Sequence, residues 1–210
     1  MKTRLTLSLL AAAVSCFAQQ WEFGASVGAG FIPGASVTSP QGSATAGFQT
    51  GVSFGAFLGQ NLYKNLSGEV HYAFLQRNLK LDSGGTTATF SGQQHAIHYD
   101  VLIHPSRKES RALPFAIVGG GLKVFRGTGK EAAYQPLSQF GYFTRTTEVK
   151  PMLSVGAGVK FAVGKRMNLR AEVRDFITMF PKEIIAPAPG AKFGRMLHDI
   201  VPMFGISYEY

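Results

Sequence analysis

Residues 153–163 read Leu-Ser-Val-Gly-Ala-Gly-Val-Lys-Phe-Ala-Val, so that every odd position is apolar. The even positions 154–160 between them carry serine, glycine or lysine. Successive side chains of a β-strand point to opposite faces, so this order gives a strand one apolar face and one small or charged face. Two glycines in one stretch also disfavour a helix, because each weakens a helix interior by about 1 kcal/mol. The stretch therefore predicts an amphipathic β-strand.

The same alternation recurs along the chain. The further segments are 21–31, 48–58, 66–74, 97–103, 114–125, 169–174 and 203–210, of which 114–125 alternates least well. Eight strands are an even number, so the first and last can pair antiparallel and close the sheet without an exposed edge. Tilted strands of about 9–11 residues would cross a membrane. We therefore predict an all-β fold.

The first eighteen residues are typical of a cleaved secretory signal. Lys2 and Arg4 precede the apolar stretch 5–14, and Cys16-Phe17-Ala18 places small residues before a cut at Gln19. A membrane anchor is disfavoured because that stretch is shorter than the ~20 residues of a spanning helix. Lipidation of Cys16 is disfavoured because the usual leucine three residues earlier is missing. We expect a signal peptide at 1–18, a barrel domain at 19–210, and a mature chain without disulfides.

Composition favours a membrane barrel over a soluble one. Only 16% of the residues are charged, against roughly 25% in an ordinary soluble domain. A closed barrel is the only non-helical structure that satisfies all its backbone hydrogen bonds within lipid. The alternative is a soluble eight-stranded barrel of the lipocalin type, whose apolar faces would point inward. It is disfavoured because the polar faces hold mainly glycine, serine and paired charges rather than scattered lysine and glutamate. Aromatic residues also gather near the strand ends.

The connections alternate in length, which is independent evidence for the same fold. Short connections are expected at 61–65, 105–113 and 164–168, and mostly longer ones at 33–47, 82–87, 126–150 and 181–197. Short turns at one end and longer loops at the other are typical of outer-membrane barrels, whose short turns are periplasmic. We predict an eight-stranded antiparallel up-and-down transmembrane β-barrel in the outer membrane.

Three motifs connect the chain to a known family. They are Ser154–Phe161, its partial echo Ser26–Phe31, and Phe204-x-Ile206-x-Tyr208-x-Tyr210. With them the mature chain resembles, over essentially its whole length, the small outer-membrane β-barrel proteins of the OmpA/OmpX type. The resemblance implies that Phe204, Ile206, Tyr208 and Tyr210 form an insertion signal read by the barrel-assembly machinery after escort by periplasmic chaperones. Tyr210 replaces the commoner terminal phenylalanine.

Strand parity places four positive and four negative side chains on the inward faces. Because an unpaired buried charge costs several kcal/mol, we expect a compensated network that plugs the narrow lumen. We assign His71 and His98 to the same network. The predicted lumen charge network is Glu69, His71, His98, Asp100, Lys123, Lys160, Arg170, Glu172, Arg174 and Glu209.

The function expected from these features is a structural or surface-interaction role. One alternative is a small pore or solute-binding barrel, lined by the same charges. Another is an outer-membrane lipid-modifying enzyme, but lipid A deacylases use a His-x-Ser pair, whereas this chain has His98-Tyr99-Asp100. We expect no catalytic residue, metal site or cofactor.

The expected partners follow from the predicted location and from charge. Basic turn residues such as Lys64, Lys165 and Arg166 favour contact with outer-membrane lipids. A nucleic-acid partner is not expected for an exported barrel. The connection 126–150 contains Tyr134, Phe140, Tyr142 and Phe143 among polar residues, and 181–197 is rich in proline, alanine and glycine. A surface ligand could bind these long loops, although they equally suit strands that extend beyond the membrane and pack on themselves.

Overall fold

The computed structural model describes residues 20–105 and 111–210, which contain fifteen β-strands. No helix in these residues is long and apolar enough to cross a membrane. The predicted signal peptide at 1–18 and part of one short turn lie outside the described residues. The strands are β1 (Trp21–Gly30), β2 (Ala35–Ser39), β3 (Gly42–Phe48), β4 (Gly51–Tyr63), β5 (Leu66–Gln76), β6 (Leu79–Ser83), β7 (Thr86–Phe90), β8 (Gly92–Ile103), β9 (Ala112–Gly127), β10 (Gly141–Phe143), β11 (Thr147–Ala162), β12 (Met167–Met179), β13 (Ile185–Pro187), β14 (Lys192–Phe193) and β15 (Met196–Glu209).

Eight of these strands form a closed antiparallel barrel in the order β1-β15-β12-β11-β9-β8-β5-β4. Each barrel strand pairs with the barrel strands before and after it in the chain, and β1 pairs with β15 to close the sheet, with Val27 opposite Phe204. These strands account for the eight segments whose alternation the sequence shows, except that Phe48, at the start of segment 48–58, belongs to β3 and is buried. The predicted eight-stranded up-and-down barrel is confirmed.

Apolar side chains cover the outside of the barrel wall, and charged ones point toward its axis. Phe161 is 43% exposed and Phe204 is 67% exposed, whereas Arg170 and Arg174 are 2% and 1% exposed. All four lie on three adjacent strands, so the difference comes from strand parity and not from location in the sheet. The lipocalin-type alternative requires the opposite arrangement and does not fit this structure.

The long connections contain regular structure. The sequence allows strands that extend beyond the membrane as one alternative, but it predicts none of the pairings. Strands β14, β2, β3, β6 and β7 form a five-stranded sheet, and β10 pairs with β13. The barrel strands also run further than their apolar alternation, so that β15 begins at Met196 and not near 203. In this part of β15 the outward Met196 and Ile200 and the inward Leu197 and Val201 are all apolar. Alternation between an apolar and a polar face therefore does not report the beginning of the strand.

Candidate functional site

The barrel interior holds a balanced set of buried ionisable side chains. Within the described residues, and apart from one further acid, the barrel interior buries five carboxylates and five cations. The carboxylates are Glu22, Glu69, Asp100, Glu172 and Asp199, and the cations are Arg77, Lys123, Lys160, Arg170 and Arg174. A further buried carboxylate, Glu148, lies closer to the loop end and pairs with Lys150 at 2.5 Å. Equal numbers of opposite charge allow each ion to be compensated where water is excluded.

Acids and bases alternate along the short-turn half of the interior. Lys160 Nζ lies 2.5 Å from Glu22 Oε2 and 3.4 Å from Glu69 Oε1. Arg170 Nη1 lies 2.8 Å from the same Glu69 oxygen, and its Nε lies 2.7 Å from Glu172 Oε2. These five side chains come from four different strands, so the ion pairs cross-link the wall from inside.

The chain of ion pairs continues through Arg174. Its Nε lies 2.8 Å from Glu172 Oε1, and its Nη1 contacts Asp100 Oδ2. An Arg guanidinium presents fixed donors that suit two carboxylates at once. We name the connected set the lumen network. Its members are Glu22, Glu69, His71, His98, Asp100, Lys160, Arg170, Glu172 and Arg174.

Two aromatic rings support the lumen network from the sides. The guanidinium carbon of Arg170 lies 4.6 Å from the ring centre of Phe57 and 4.7 Å from that of Phe115. A cation over an aromatic face gains from the ring quadrupole, and the gain rises when water is excluded. The two rings thus favour the charged guanidinium at the position where it contacts Glu69 and Glu172.

The two histidines of the lumen network lie face to face. The ring centres of His71 and His98 are 5.0 Å apart and the planes differ by 5°. His71 Nε2 lies 2.8 Å from Glu69 Oε2, and His98 Nδ1 lies 3.0 Å from Asp100 Oδ1. Each imidazole therefore contacts a carboxylate, and this pairing fixes the ring orientation.

The same two histidines and Asp100 could supply metal ligands. One donor atom from each of the three lies within 4.8 Å of the others. Arg174, however, places Nη2 at 3.1 Å from His71 Nε2 and Nη1 against Asp100. A divalent cation would meet this fixed positive charge, so the donors suit the guanidinium better than a metal ion.

A separate cluster, which we name the upper triad, lies nearer the loop end. It consists of Arg77, Lys123 and Asp199, and each cation lies 2.5 Å from an Asp199 oxygen. Gly30 makes room for it, because a Cβ there would lie 1.5 Å from Arg77 Nη2. The predicted network member Lys123 thus joins this cluster, and no ion pair among the described residues connects it to the lumen network.

The remaining differences from the predicted network lie at the two ends of the barrel strands. Glu209 is half-buried at the short-turn end and accepts a hydrogen bond from Asn168 Nδ2 at 3.0 Å. The predicted network omits Glu22, although its even position between Trp21 and Phe23 indicates an inward side chain. Arg77 and Asp199 lie beyond the segments that alternate, but extending the inward parity of β5 and β15 by a few residues would have found them.

The loop end of the barrel is filled by a hydrophobic core. Its members come from the barrel wall and from both loop sheets, and we name this cluster the apolar cap. The cap contains Ala35, Val37, Ala44, Ala46, Phe48, Leu79, Leu81, Ala88, Phe90, Phe125, Phe140, Phe143, Phe180, Ile184, Ile185, Phe193 and Leu197. Phe140 and Phe143, predicted as exposed loop aromatics or as self-packing extensions, are buried here, whereas Tyr134 is 79% exposed.

The proposed insertion residues follow the outward face of β15. Phe204, Ile206 and Tyr210 are 67%, 44% and 79% exposed, and Tyr208 is half-buried. The Tyr208 ring centre lies 5.4 Å from that of Phe23 on β1, across the seam that closes the barrel. These side chains present a continuous apolar and aromatic stripe.

A histidine–carboxylate pair also lies on the outer wall, where no motif predicted one. His198 Nδ1 lies 2.7 Å from Asp175 Oδ2, and the His198 side chain is 49% exposed. A hydrolase would need a nucleophile hydrogen-bonded to this imidazole. In residues 20–105 and 111–210 no serine, threonine or cysteine makes that hydrogen bond.

Comparison with known proteins identifies one family and several solved structures of the same fold. The family model for the outer membrane protein beta-barrel domain matches residues 5–184. No curated protein matches the chain in sequence. Neisserial surface protein A is 14% identical with a TM-score of 0.55, covering 91% of this chain and 97% of its own. The outer membrane protein AlkL is 14% identical with a TM-score of 0.52, covering 90% of each chain. A major outer membrane protein from Thermus thermophilus is 14% identical with a TM-score of 0.50, covering 90% of this chain and 99% of its own. These structures share the fold.

Proposed function

Because this chain belongs to the outer membrane protein β-barrel domain family and is an outer-membrane barrel, we propose that its lumen is closed and that its role is structural or surface-interacting. The observation that supports closure is the interior filling. Arg77, Lys123 and Arg174 are among the largest fully buried side chains, and all three are ion-paired. An ion crossing the barrel would have to break these pairs and then pass the apolar cap.

Conductance tests the proposed closure. The purified chain, with folding checked by heat-modifiable mobility on gels, would be added to planar lipid bilayers in potassium chloride. We expect no stable open level, whereas a large porin added to the same bilayer as a control should give steps. Stable steps whose cation preference falls in Glu69→Gln would show a conducting lumen and support the pore alternative.

The surface role rests on the ordered outer face of the cap sheets. A cleft of about 500 Å³ is lined there by hydroxyl-bearing side chains, among them Ser36, Ser43, Thr45 and Thr87, beside Asp82. Hydrogen-bonding groups on a rigid sheet suit recognition better than a loop that must be ordered on binding. The proposed partners are therefore a polar surface ligand at this face, outer-membrane lipids around the wall, and the assembly machinery at β15.

Complementation separates the structural role from the surface role. A deletion strain would receive the wild-type chain or the double variant Thr45→Ala/Thr87→Ala, which leaves the cap core intact. If both restore detergent resistance but only the wild type restores adhesion, the surface role stands. If the deletion changes neither property, the proposal fails.

We also propose that the chain is not an enzyme. His98 and Asp100 are 3% and 0% exposed, so a lipid substrate at the outer wall does not reach them. The lipid A composition of cells carrying His98→Ala or His198→Ala should match that of the wild type. A changed acyl pattern in either variant would support the lipid-modifying alternative.

A further inference from the structure

A cleft of about 340 Å³ opens on the outer wall where β8, β9 and β11 approach the cap. Its lining includes no carboxylate. The donors that line it are two guanidiniums, three threonine hydroxyls and one amide, from Arg126, Arg145, Thr128, Thr146, Thr147 and Gln93. Such a set offers hydrogen-bond donors and positive charge together, which is the chemistry that recognises a phosphate group.

The strand register places part of this set in one row. Gln93 is paired with Arg126, and Arg126 with Thr147, across three neighbouring strands. Phe125, next to Arg126, is fully buried in the cap, so Arg126 points outward, and it is exposed. The row therefore lies on the outer face of the wall and not in the lumen.

The charge of the cleft is largely uncompensated. Neither Arg126 nor Arg145 takes part in an ion pair within the described part of the chain. The nearest acid by contact is Glu131, whose carboxylate accepts the backbone N–H of Arg145. The two guanidiniums thus remain available to an external anion, with Glu131 as a nearby negative charge that weakens binding.

An apolar wall lies directly below the cleft on the same strands. Moving toward the short-turn end, the outward residues include Ile97, Leu122 and Val149, which are 58%, 55% and 52% exposed. An amphiphile whose phosphate occupies the cleft would place its acyl chains against this wall. A free anion would use the cleft alone.

We propose that this cleft binds the phosphate group of an anionic lipid in the cell-surface leaflet of the outer membrane. The lipid is favoured over free phosphate because the cleft lies on the outer wall at the limit of the apolar surface, where lipid head groups are concentrated. The inference rests on the lipid contact named in the proposed function and assigns it one phosphate site. It does not depend on whether the lumen conducts.

Nuclear magnetic resonance of the full chain in octyl glucoside micelles, which contain no phosphate, tests this site. Three probes would be titrated, namely lipid A with both phosphates, the same lipid after phosphate removal, and inorganic phosphate. We expect saturable shifts of the Gly127, Thr128 and Thr146 amides with intact lipid A. Inorganic phosphate should require at least about tenfold higher concentration, because it gains nothing from the apolar wall.

Variants assign the effect to the two arginines. Arg126→Gln and Arg145→Gln should each weaken lipid A binding about fivefold, the effect of one basic residue near an anionic surface. Glu131→Gln should strengthen it, and Arg195→Gln, a basic residue of the same end outside the cleft, should leave it unchanged. Heat-modifiable mobility confirms that each variant is folded.

Three results would overturn the proposal. They are the lack of a saturable shift with intact lipid A, equal shifts with the dephosphorylated lipid, and equal affinity for inorganic phosphate. The last would make the cleft a general anion site.

Discussion

The lumen network and the apolar cap fill the same cylinder with opposite chemistry. Around the lumen network the outer wall is apolar, as at Phe204, and the inside is charged, as at Arg174. Around the cap the outer wall is polar, as at Arg126, and the inside is apolar, as at Phe125. The polarity of the two faces is exchanged along single strands. Within lipid the apolar residues must face outward, and beyond it they must face inward.

The difference predicts how each region contributes to stability. The ion pairs join strands from all around the barrel, so we expect the lumen network to affect unfolding of the whole chain. The cap is formed largely by the loop sheets β14-β2-β3-β6-β7 and β10-β13, which extend from the strand ends. We expect it to open locally without unfolding of the barrel.

The largest loss of stability is expected from removing the Arg174 side chain. Arg174→Ala removes the guanidinium that contacts Asp100, whereas Glu172 keeps its ion pair with Arg170. An uncompensated buried charge of this kind costs about 3–5 kcal/mol of unfolding free energy. Urea unfolding in lipid vesicles, followed by tryptophan fluorescence of Trp21, measures it.

The triple variant Arg174→Met/Asp100→Asn/Glu172→Gln is the matched control, because it removes the charges together. It should recover most of the loss, since replacing a whole buried ionic cluster is often close to neutral. If Arg174→Ala alone is as stable as the wild type, water reaches the site and the lumen network is not dry.

A smaller and local effect is expected in the cap. Leu81 is fully buried on β6 and stands between Ala46 and Ala88 on the flanking strands. Leu81→Ala should destabilise the cap by about 2–5 kcal/mol through lost burial and a cavity. Hydrogen exchange of the β2, β3 and β6 amides should accelerate accordingly, while β12 and β15 stay protected.

Leu58→Ala provides the comparison, because Leu58 is 49% exposed on the outer wall and far from the cap core. It should leave cap exchange unchanged. The contrary result is that Leu81→Ala lowers the unfolding free energy of the whole barrel by as much as it destabilises the cap. Cap and barrel would then form one cooperative unit, and the contrast between the two regions would disappear.

The sequence predicted the barrel wall, in which most strands have one apolar face and one polar face. Alternation at 153–163 and its repeats located all eight barrel strands, because lipid enforces an outward apolar face. The segment 114–125 alternated poorly for a reason visible in the structure. Phe115, Ile117 and Phe125 are buried inside while Val118 and Leu122 are exposed outside, so β9 is apolar on both faces.

The sequence did not predict the cap. Its strands are short. β2–β3 and β6–β7 are local hairpins, but the sheet is joined by pairings between distant segments, such as Val37 with Phe193, that no local pattern reports. The inward set was likewise incomplete, because Asp199 lies where apolar residues such as Val201 and Ile200 occupy both faces of β15 and no alternation is visible. The partner of Lys123 was therefore missing from the predicted network.

The smallest effect on stability is expected at the cap surface, from the partly exposed carboxylate of Asp82. Slight burial raises the pKa of Asp82, but hydrogen bonds from Lys80 and Thr87 outweigh it and lower the pKa below the ordinary 3.8. Because the folded-state pKa is lowered, this carboxylate adds stability above about pH 4, and the contribution is lost as the pH falls through the folded-state pKa. The pair is exposed enough that the gain stays below about 1 kcal/mol.

Carboxyl-carbon magnetic resonance can follow the Asp82 titration directly. Thr87→Val removes one of the hydrogen bonds and should raise the midpoint toward 3.8 without disturbing the cap core, because the Thr87 side chain is exposed. Thr89→Val, at the next outward position of β7 on the same exposed face, should leave the midpoint unchanged. Equal midpoints in all three proteins would show that the β6–β7 surface is too mobile to hold this hydrogen bond. The cap would then be ordered in its buried core and flexible at its exposed surface.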